Sequence, residues 1–321
     1  MNRRQFLRNS AVGIGSFAFS GLIIPGKSTH AASHISLGLT AEPSTTTMTN
    51  GVSLPTWQYR SVNSGPGNLN AGFIANPGDH LVIVLRNNLD RPINLVIPGL
   101  LENTPACQPG ALQSYSVTLP LSGSFMITDA LNGELARAMG LAAPLVINNT
   151  ADTLGNGQIL DQSYTLVTQD FDSRLNQAIS AGQTFNLDNY APDYYQINGL
   201  SYPNTLTDPS CYINAVVNQN IAIRFINAGL ICYPMHFHGY HVNVINRNRI
   251  VETQVIEKDT VSILPDECVD TALLVNQPGQ YPVHSHYLPA TTANGIYANG
   301  GNPALNEAAM GGGLLMINAV V

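Results

Sequence analysis

Two short histidine motifs are the part of this sequence most able to do chemistry. His236 and His238 lie two residues apart in Tyr233–Ile245, whose pattern predicts a β-strand, and His284 and His286 repeat that spacing after a Pro-Gly turn. Residues two apart on a strand point to the same face. Two such pairs on neighbouring strands could bring four imidazoles together, which suits Cu(II) or Zn(II). The sequence therefore predicts a metal site with these four histidines as ligands.

Other interpretations of these and nearby residues stay open at this point. The four histidines could instead line a polar pocket, hydrogen-bonded and without metal. His241 faces away from the pair if the strand stays regular, so we expect it on the surface or in the core, and we expect His80 to be solvated. Asp129 and Asp270 could supply an oxygen ligand or orient an imidazole, although an ordinary turn or strand-end acid is the simpler interpretation.

The composition predicts an all-β protein. Charged residues make up 10% of the chain, which has 28 Gly and 20 Pro, and this suits short strands joined by turns. Apolar segments recur at the regular spacing that is typical of Greek-key β-sandwiches, and the pattern repeats in the second half. We predict domains at 35–175 and 191–321, joined by a linker at 176–190. Tyr164–Thr168 is the last predicted strand of the first domain, and Asn132–Met139 is its helical segment.

The N-terminus has the pattern of an export signal. Arg3–Arg8 resembles the twin-arginine motif, and the apolar run Ala11–Ile24 that follows is too short to span a bilayer comfortably. We expect residues 1–31 to be a twin-arginine signal peptide, with an uncleaved anchor as the alternative. Twin-arginine signals are a bacterial-type address, so the sequence predicts a periplasmic or secreted protein.

Cleavage is expected near Ala31 or Ala32. His30 and His34 lie on either side of this position, and the sequence assigns no function to them. No later segment is apolar enough to cross a membrane, so we expect no stable membrane span after processing.

Charge and cysteine content narrow the partners and the covalent structure. The net charge is −7 and no basic patch suits a phosphate backbone, so nucleic acid is not expected as a partner. Four cysteines allow three full disulfide pairings in an oxidising compartment, and none lies in a Cys-x-x-Cys motif. Buried thiols or one structural disulfide is the preferred interpretation for Cys107, Cys211, Cys232 and Cys268.

Several segments resemble the multicopper oxidases, a family of the cupredoxin superfamily. The likeness runs from about residue 50 to the end of the chain. It implies an all-β fold of two cupredoxin-like Greek-key β-sandwich domains and copper as the cofactor, with zinc possible. The similar segments are Pro77–Asp79, Leu85–Leu89, Gly123–Phe125 and Gly140–Ile147 for the first domain, and Asn198–Pro203, Arg224–Gly229, His236–Gly239 and His284–His286 for the final domain.

The resemblance also implies a role for each histidine and shows what is missing. His236 matches a ligand of the type 2 copper, and the other three match ligands of the paired type 3 coppers. Ser285 stands where the family has the cysteine of its blue-copper site, and Tyr233 where it has that site's first histidine. Leu288–Ala290 offers no second histidine, and Met310 echoes the axial methionine. A hydroxyl, a phenol and a thioether cannot make a blue site, so we expect none.

The first domain departs from the family pattern in the same way. Val96 and Pro98 stand in the places of one histidine pair, and Thr128 and Ala130 in the places of the other. A three-copper cluster built from one chain would lack half its ligands. The chain is therefore not expected to be a standard laccase on its own.

Two classes of function remain compatible with the sequence. One is an exported copper oxidoreductase that uses a reduced site of one or two coppers on an unknown small-molecule substrate. The other is a non-catalytic cupredoxin-fold protein that binds metal or acts as an envelope scaffold. Two-domain relatives usually form trimers in which the final domain of one subunit faces the first domain of the next. We therefore expect either a homotrimer or a cupredoxin partner that supplies histidines.

Overall fold

A computed structural model describes residues 32–48, 50–61, 73–119, 122–148, 158–248, 250–292 and 315–321, with Leu154 and Asn156 between them. These residues form four β-sheets, so the prediction of an all-β protein is confirmed. No helix in this part of the chain is long and apolar enough to cross a membrane. The expected signal peptide, with His30, and the expected axial residue Met310 lie outside the described residues.

The first domain consists of a four-stranded sheet and a three-stranded sheet, with strand orders β2-β1-β4-β5 and β3-β7-β6. Burial alternates along β4, where Leu81, Ile83 and Leu85 are in the core, because successive side chains of a strand point to opposite faces. A short helix, α1 (Glu134–Ala138), confirms the predicted helical segment. The strands are β1 (His34–Thr47), β2 (Ser53–Ser61), β3 (Phe73–Ala75), β4 (His80–Asn87), β5 (Leu112–Thr118), β6 (Gly123–Thr128) and β7 (Ala142–Ile147).

The second domain consists of a six-stranded sheet, β14-β13-β16-β11-β8-β9, and a five-stranded sheet, β10-β18-β17-β12-β15. Its core includes Phe225 of β11 and Phe237 of β12, whose rings meet edge to face at 6.0 Å. The strands are β8 (Gln162–Phe171), β9 (Tyr194–Ile197), β10 (Ile213–Val216), β11 (Asn220–Asn227), β12 (Tyr233–Phe237), β13 (Val242–Arg247), β14 (Ile250–Lys258), β15 (Thr260–Ile263), β16 (Cys268–Leu274), β17 (Gly279–Ser285) and β18 (Leu315–Val320).

Strand β8 differs from its predicted place in the chain. It pairs in parallel with β11 and antiparallel with β9, so it belongs to the six-stranded sheet of the second domain and not to the first domain. The segment predicted as a linker at 176–190 contains most of helix α2 (Ser173–Ser180), which Asp172 caps by accepting a hydrogen bond from the Arg174 N–H. By its hydrogen bonding, β8 therefore belongs to the second domain, whereas Leu175 and Ile179 of the helix that follows pack into the core of the first domain.

The two domains meet on the six-stranded sheet, where β6 packs against β11 and β16. The buried Ser124 hydroxyl donates to the Asp270 carboxylate, and the guanidinium of Arg224 lies 3.5 Å from that carboxylate. Arg224 also donates to the side chain of Asn148, at 2.5 Å. Because the first domain packs on this sheet, the five-stranded sheet with β12 and β17 lies on the opposite side of the second domain's core.

Candidate metal centre

The predicted histidine face exists on two paired strands. β12 and β17 are antiparallel, with His236 directly opposite His284, and His238 and His286 follow the ends of the two strands. The alternating partners of these residues, such as Phe237, point into the core. All four histidines therefore lie on the outer face of the five-stranded sheet, as the two-residue spacing predicted.

The imidazole rings are in mutual contact. Ring centroids are 4.4 Å apart for His236 and His286, 4.8 Å for His236 and His238, and 5.6 Å for His284 and His286. The closest atoms belong to His238 and His284, whose Nε2 atoms are 2.9 Å apart. A contact of this length between two ring nitrogens requires one proton between them, and a bound metal ion could take the place of that proton.

Neighbouring groups fix the orientation of two of the rings. The Nδ1 atom of His236 lies 3.0 Å from the Thr260 hydroxyl and 4.0 Å from the Asp259 carboxylate. The Nδ1 atom of His284 lies 3.1 Å from the Ser285 carbonyl, to which an Nδ1–H donates. That tautomer leaves the Nε2 atom of His284 as the electron-pair donor, which is the usual way in which a partner of one ring nitrogen prepares the other for a metal.

Burial keeps two of the histidines neutral. It lowers the pKa of His238 below the ordinary value, and the nearby His236 and His286 lower it further because a second positive charge is unfavourable. Burial also lowers the pKa of His284, against the opposing effect of the hydrogen bond to Ser285. Neutral imidazole is the form that binds a metal, so this environment favours ligation.

The residues fit a metal ion in part. Two ligand atoms that are each about 2.0 Å from one metal and 2.9 Å apart subtend an angle of about 90° at that metal. His238 and His284 therefore already have the separation of adjacent ligands. Among the described residues, however, no group of three or more His, Cys, Asp or Glu side chains converges well enough to hold a metal ion. His236 and His286 would have to turn toward the pair, or other ligands would have to complete the shell.

The other residues singled out from the sequence lie elsewhere. His241 is exposed just before β13, as predicted for a residue off the histidine face. The Asp129 carboxylate accepts hydrogen bonds from the backbone N–H groups of Asn94 and Leu131, and Asp270 binds Ser124 across the domain boundary. Both acids are therefore engaged in holding the fold.

The position expected for a blue-copper ligand is occupied by a phenol with a structural role. Tyr233 is buried, and its hydroxyl donates to the Asp170 carboxylate at 3.2 Å. Asp170 is itself buried and also accepts hydrogen bonds from the Tyr190 hydroxyl and the Leu230 N–H. Ser285 is buried opposite Met235, and its hydroxyl accepts a hydrogen bond from the backbone of a neighbouring residue.

The first domain contains the same strand geometry without imidazoles. Val96 and Thr128 form an antiparallel bridge with backbone N–O distances of 2.9 and 3.0 Å, and both side chains are buried. Pro98 is half-buried and Ala130 is exposed. None of these four side chains carries an imidazole, a carboxylate or a thiol.

Sequence reasoning missed Thr260 and Asp259, which lie beside His236. Thr260 is the cross-strand partner of His236 in the pairing of β12 with β15. Which strand lies beside β12 depends on long-range pairing, and the local sequence around Thr260 carries no signal of it.

A cavity also lies between the two domains, apart from the histidine face. Its volume is about 410 Å³, and its lining includes Thr46, Gln58, Gln169 and Gln196. None of the four histidines lines it, so the candidate metal centre is a feature of the outer sheet surface.

Comparison with known proteins identifies a family that matches part of the sequence. Residues 177–299, which include all four histidines, match the family model of the multicopper oxidases. Among curated proteins, none matches the sequence at a significant level. The family match covers most of the second domain and less than half of the chain.

Solved structures match over most of the chain. A blue copper oxidase from Nitrosomonas europaea has a TM-score of 0.74 at 20% identity, covering 89% of this chain and 86% of that protein. The multicopper oxidase mgLAC has a TM-score of 0.73 at 19% identity, with coverage of 90% and 86%. A copper nitrite reductase from Nitrosomonas europaea has a TM-score of 0.65 at 14% identity, with coverage of 89% and 94%. The predicted resemblance to the multicopper oxidases and the fold of two cupredoxin-like domains are confirmed.

Proposed function

We propose that this protein is an exported copper-binding protein of the multicopper-oxidase type. Its site would hold one or two copper ions, fewer than in the family, at His236, His238, His284 and His286. The observation that carries the proposal is the His238–His284 pair, whose Nε2 atoms are 2.9 Å apart on a face with two further imidazoles. Copper is preferred because it binds nitrogen sites more tightly than zinc and accepts ligands at about 90°. Zinc is the alternative metal.

Copper, when bound, supplies redox chemistry and Lewis acidity. The chain's own groups would prepare the ligands: Thr260 holds the ring of His236, and the Ser285 carbonyl holds the Nδ1–H of His284. His286 is exposed, so a small molecule in solution can reach this side of the site. A substrate would therefore meet the site directly, without a separate electron-accepting centre.

A non-catalytic role as a metal-binding or scaffold protein is the second candidate. The specific observation in its favour is the use of Tyr233 and Ser285, at the place of the blue-copper ligands, for buried hydrogen bonds. These groups offer no path for electrons from an external donor to the histidine face. Turnover of a reducing substrate by the copper-loaded protein distinguishes the first candidate from the second.

We further propose that the histidine face lies at a contact with a neighbouring subunit or a partner. In the part of the chain that the structure describes, no set of three ligands converges, and the first domain packs on the other sheet. A homotrimer would set the histidine face against the first domain of the next subunit, where Val96 and Thr128 offer no ligand, so coordination positions would stay open to water or a small molecule. A cupredoxin partner would instead supply further histidines. Export to the periplasm or medium belongs to this proposal and is supported by the twin-arginine pattern.

Copper loading followed by electron paramagnetic resonance tests the proposed site. The expected result is a Cu(II) signal with hyperfine splitting from imidazole nitrogens and no intense blue absorption, since neither Tyr233 nor Ser285 is a thiolate. Thiolate-type absorption, or a signal without nitrogen splitting, would refute the assignment. Replacing Thr260 with valine is a matched variant that keeps every ligand, and it should alter the signal without abolishing it.

A further inference from the structure

A second group of potential metal ligands lies at the start of β1, apart from the histidine face. The sequence here is Ala32-Ser33-His34. If the signal peptide ends at Ala31, the chain begins with these three residues. A free amine with histidine in the third position can bind a metal through four nitrogens: the amine, two backbone nitrogens and the imidazole. Such a planar nitrogen set favours Cu(II) and Ni(II).

The residues around the expected cleavage position favour this N-terminus. Signal peptides end in an A-x-A-like pattern, with small residues at their last and third-last positions. Cleavage after Ala31 gives Ala31 and Thr29 at these positions. Cleavage after Ala32 would put the large side chain of His30 at the third-last position, so the cut after Ala31 is favoured.

The structure places a second imidazole beside His34. His34 is exposed and is the first residue of β1, and it lies directly opposite His80 in the parallel pairing of β1 with β4. The two ring centroids are 5.3 Å apart and the rings meet at 69°. The Nδ1 atom of His80 is 3.3 Å from the Thr118 hydroxyl, which leaves its Nε2 atom for another partner.

We propose that the processed protein has an N-terminal site for Cu(II) or Ni(II), formed by the Ala32 amine, the backbone nitrogens of Ser33 and His34, and the His34 imidazole. His80 would add a further ligand to Cu(II) outside the plane. Binding releases one proton from the terminal ammonium and one from each of the two amides. The Ser33 N–H, which donates to Asp79 at 2.9 Å, would exchange that hydrogen bond for the metal. This site depends on the proposed export and processing and not on the four histidines of the second domain.

Nickel is the sharper probe, because four nitrogens in a plane make Ni(II) diamagnetic and yellow, whereas surface imidazoles leave it paramagnetic. The full chain is exported from a bacterial host with its own leader, its N-terminus is read by mass spectrometry, and Ni(II) is then titrated. The expected result is a chain that begins at Ala32 and binds one equivalent of diamagnetic nickel. A chain that begins elsewhere overturns the proposal.

Four variants separate this site from the others. Inserting a single glycine before Ala32 keeps every side chain but moves His34 to the fourth position, so the diamagnetic nickel should be lost, as it should be in His34→Ala. His80→Ala should keep the nickel signal and change the Cu(II) resonance; an unchanged resonance would remove His80 from the site. Equal diamagnetic nickel binding by the glycine-inserted chain would refute the N-terminal chelate. A His236→Ala/His284→Ala variant should keep the diamagnetic nickel signal. The N-terminal site is therefore tested separately from the four-histidine site of the second domain.

Discussion

The two domains present a similar antiparallel backbone pairing with opposite chemistry, as an isolated bridge in the first domain and as two paired strands in the second. In the first domain the facing residues are Val96 and Thr128, and in the second they are His236 and His284. The backbone turns sharply after each first strand, at Gly99 with φ 71° and at Gly239 with φ 70°, which a glycine adopts without strain. A similar backbone pairing is therefore present in both domains, and only the second domain carries histidines on it.

The side-chain hydrogen bonds that hold this backbone, unlike the histidines, are alike in the two domains. Asn87 and Asn227 each end a central strand, and each side-chain amide donates to two backbone carbonyls and accepts one backbone N–H. Losing such a buried amide would leave several backbone groups unpaired, which costs far more than a surface change. The partners are Arg91, Cys107 and Leu89 for Asn87, and Ile231, Ile263 and Gly229 for Asn227. The fold is thus maintained in both halves, and the loss of imidazoles is confined to one.

The largest expected effect concerns turnover. Oxidation of phenols with reduction of oxygen to water should be below detection for the isolated protein with excess copper, because there is no blue-copper site to accept electrons. Ser285→Cys alone should not restore it, since Tyr233 and Leu288–Ala290 still provide no imidazole. Oxygen uptake is the measurement, with Ser285→Ala as the matched control. Sustained four-electron reduction by the unaltered chain would show that the first domain's lost ligands are not needed.

The next effect is on assembly, where the two domains should meet between subunits. A histidine face that lies at a subunit contact, as in two-domain relatives, predicts a homotrimer with a mass about three times that of the chain. Analytical ultracentrifugation at micromolar concentration checks this. A monomer that still holds copper would show that the second domain binds its metal unaided. Co-purification from the native host tests the alternative of a histidine-bearing partner, and failure to recover one would count against it.

The turn at Gly229 in the second domain should tolerate substitution poorly. The first domain has Leu89 at the position of Gly229 in the second, where a Cβ atom would lie 1.7 Å from the Asp170 carboxylate. Gly229→Ala should therefore lower the free energy of unfolding by about 3 kcal/mol. The control Gly110→Ala has open space around its Cβ but a φ of +74°, and should cost about 1 kcal/mol. Urea titration measures the free energy of unfolding of both variants, and equal losses in Gly229→Ala and Gly110→Ala would contradict the steric explanation.

The smallest effect is on thiol reactivity. All four cysteines lie among the described residues and none forms a disulfide there, and Cys232 is the one that is half-buried. Burial raises the pKa of Cys211 to about 12, so it should stay unreactive at neutral pH. Alkylation followed by mass spectrometry should show one fast site per native chain, which Cys232→Ser removes. Two blocked thiols in the unfolded chain would instead indicate a disulfide.

Sequence reasoning was strongest where a short-range pattern decides the structure. Alternation along β12 and β17 put the four histidines on one face, because side chains on a strand repeat every two residues. Sequence reasoning was weakest where pairing between segments that are distant in the sequence decides the structure. The local pattern of β8 is that of a strand in either domain, and only its pairing with β11 shows that it belongs to the second.

The clustering of the four histidines was predictable to the level of residues and not of geometry. Spacing indicates that His238 and His284 share a face, but the 2.9 Å separation of their Nε2 atoms depends on side-chain rotamers and on a cross-strand register that sequence does not give. The effect of burial on these two histidines likewise depends on the packing around them.

Copper content in two matched double variants tests the central claim most directly. His236→Ala/His284→Ala removes the facing pair of the second domain, and Val96→Ala/Thr128→Ala removes the corresponding pair of the first, with folding checked by circular dichroism. Both proteins carry one added residue at the N-terminus, which blocks the proposed N-terminal copper site. The account predicts that the histidine variant loses its copper and that the Val96/Thr128 variant keeps it. Full copper content in the histidine variant, or an equal loss in both folded variants, would contradict it.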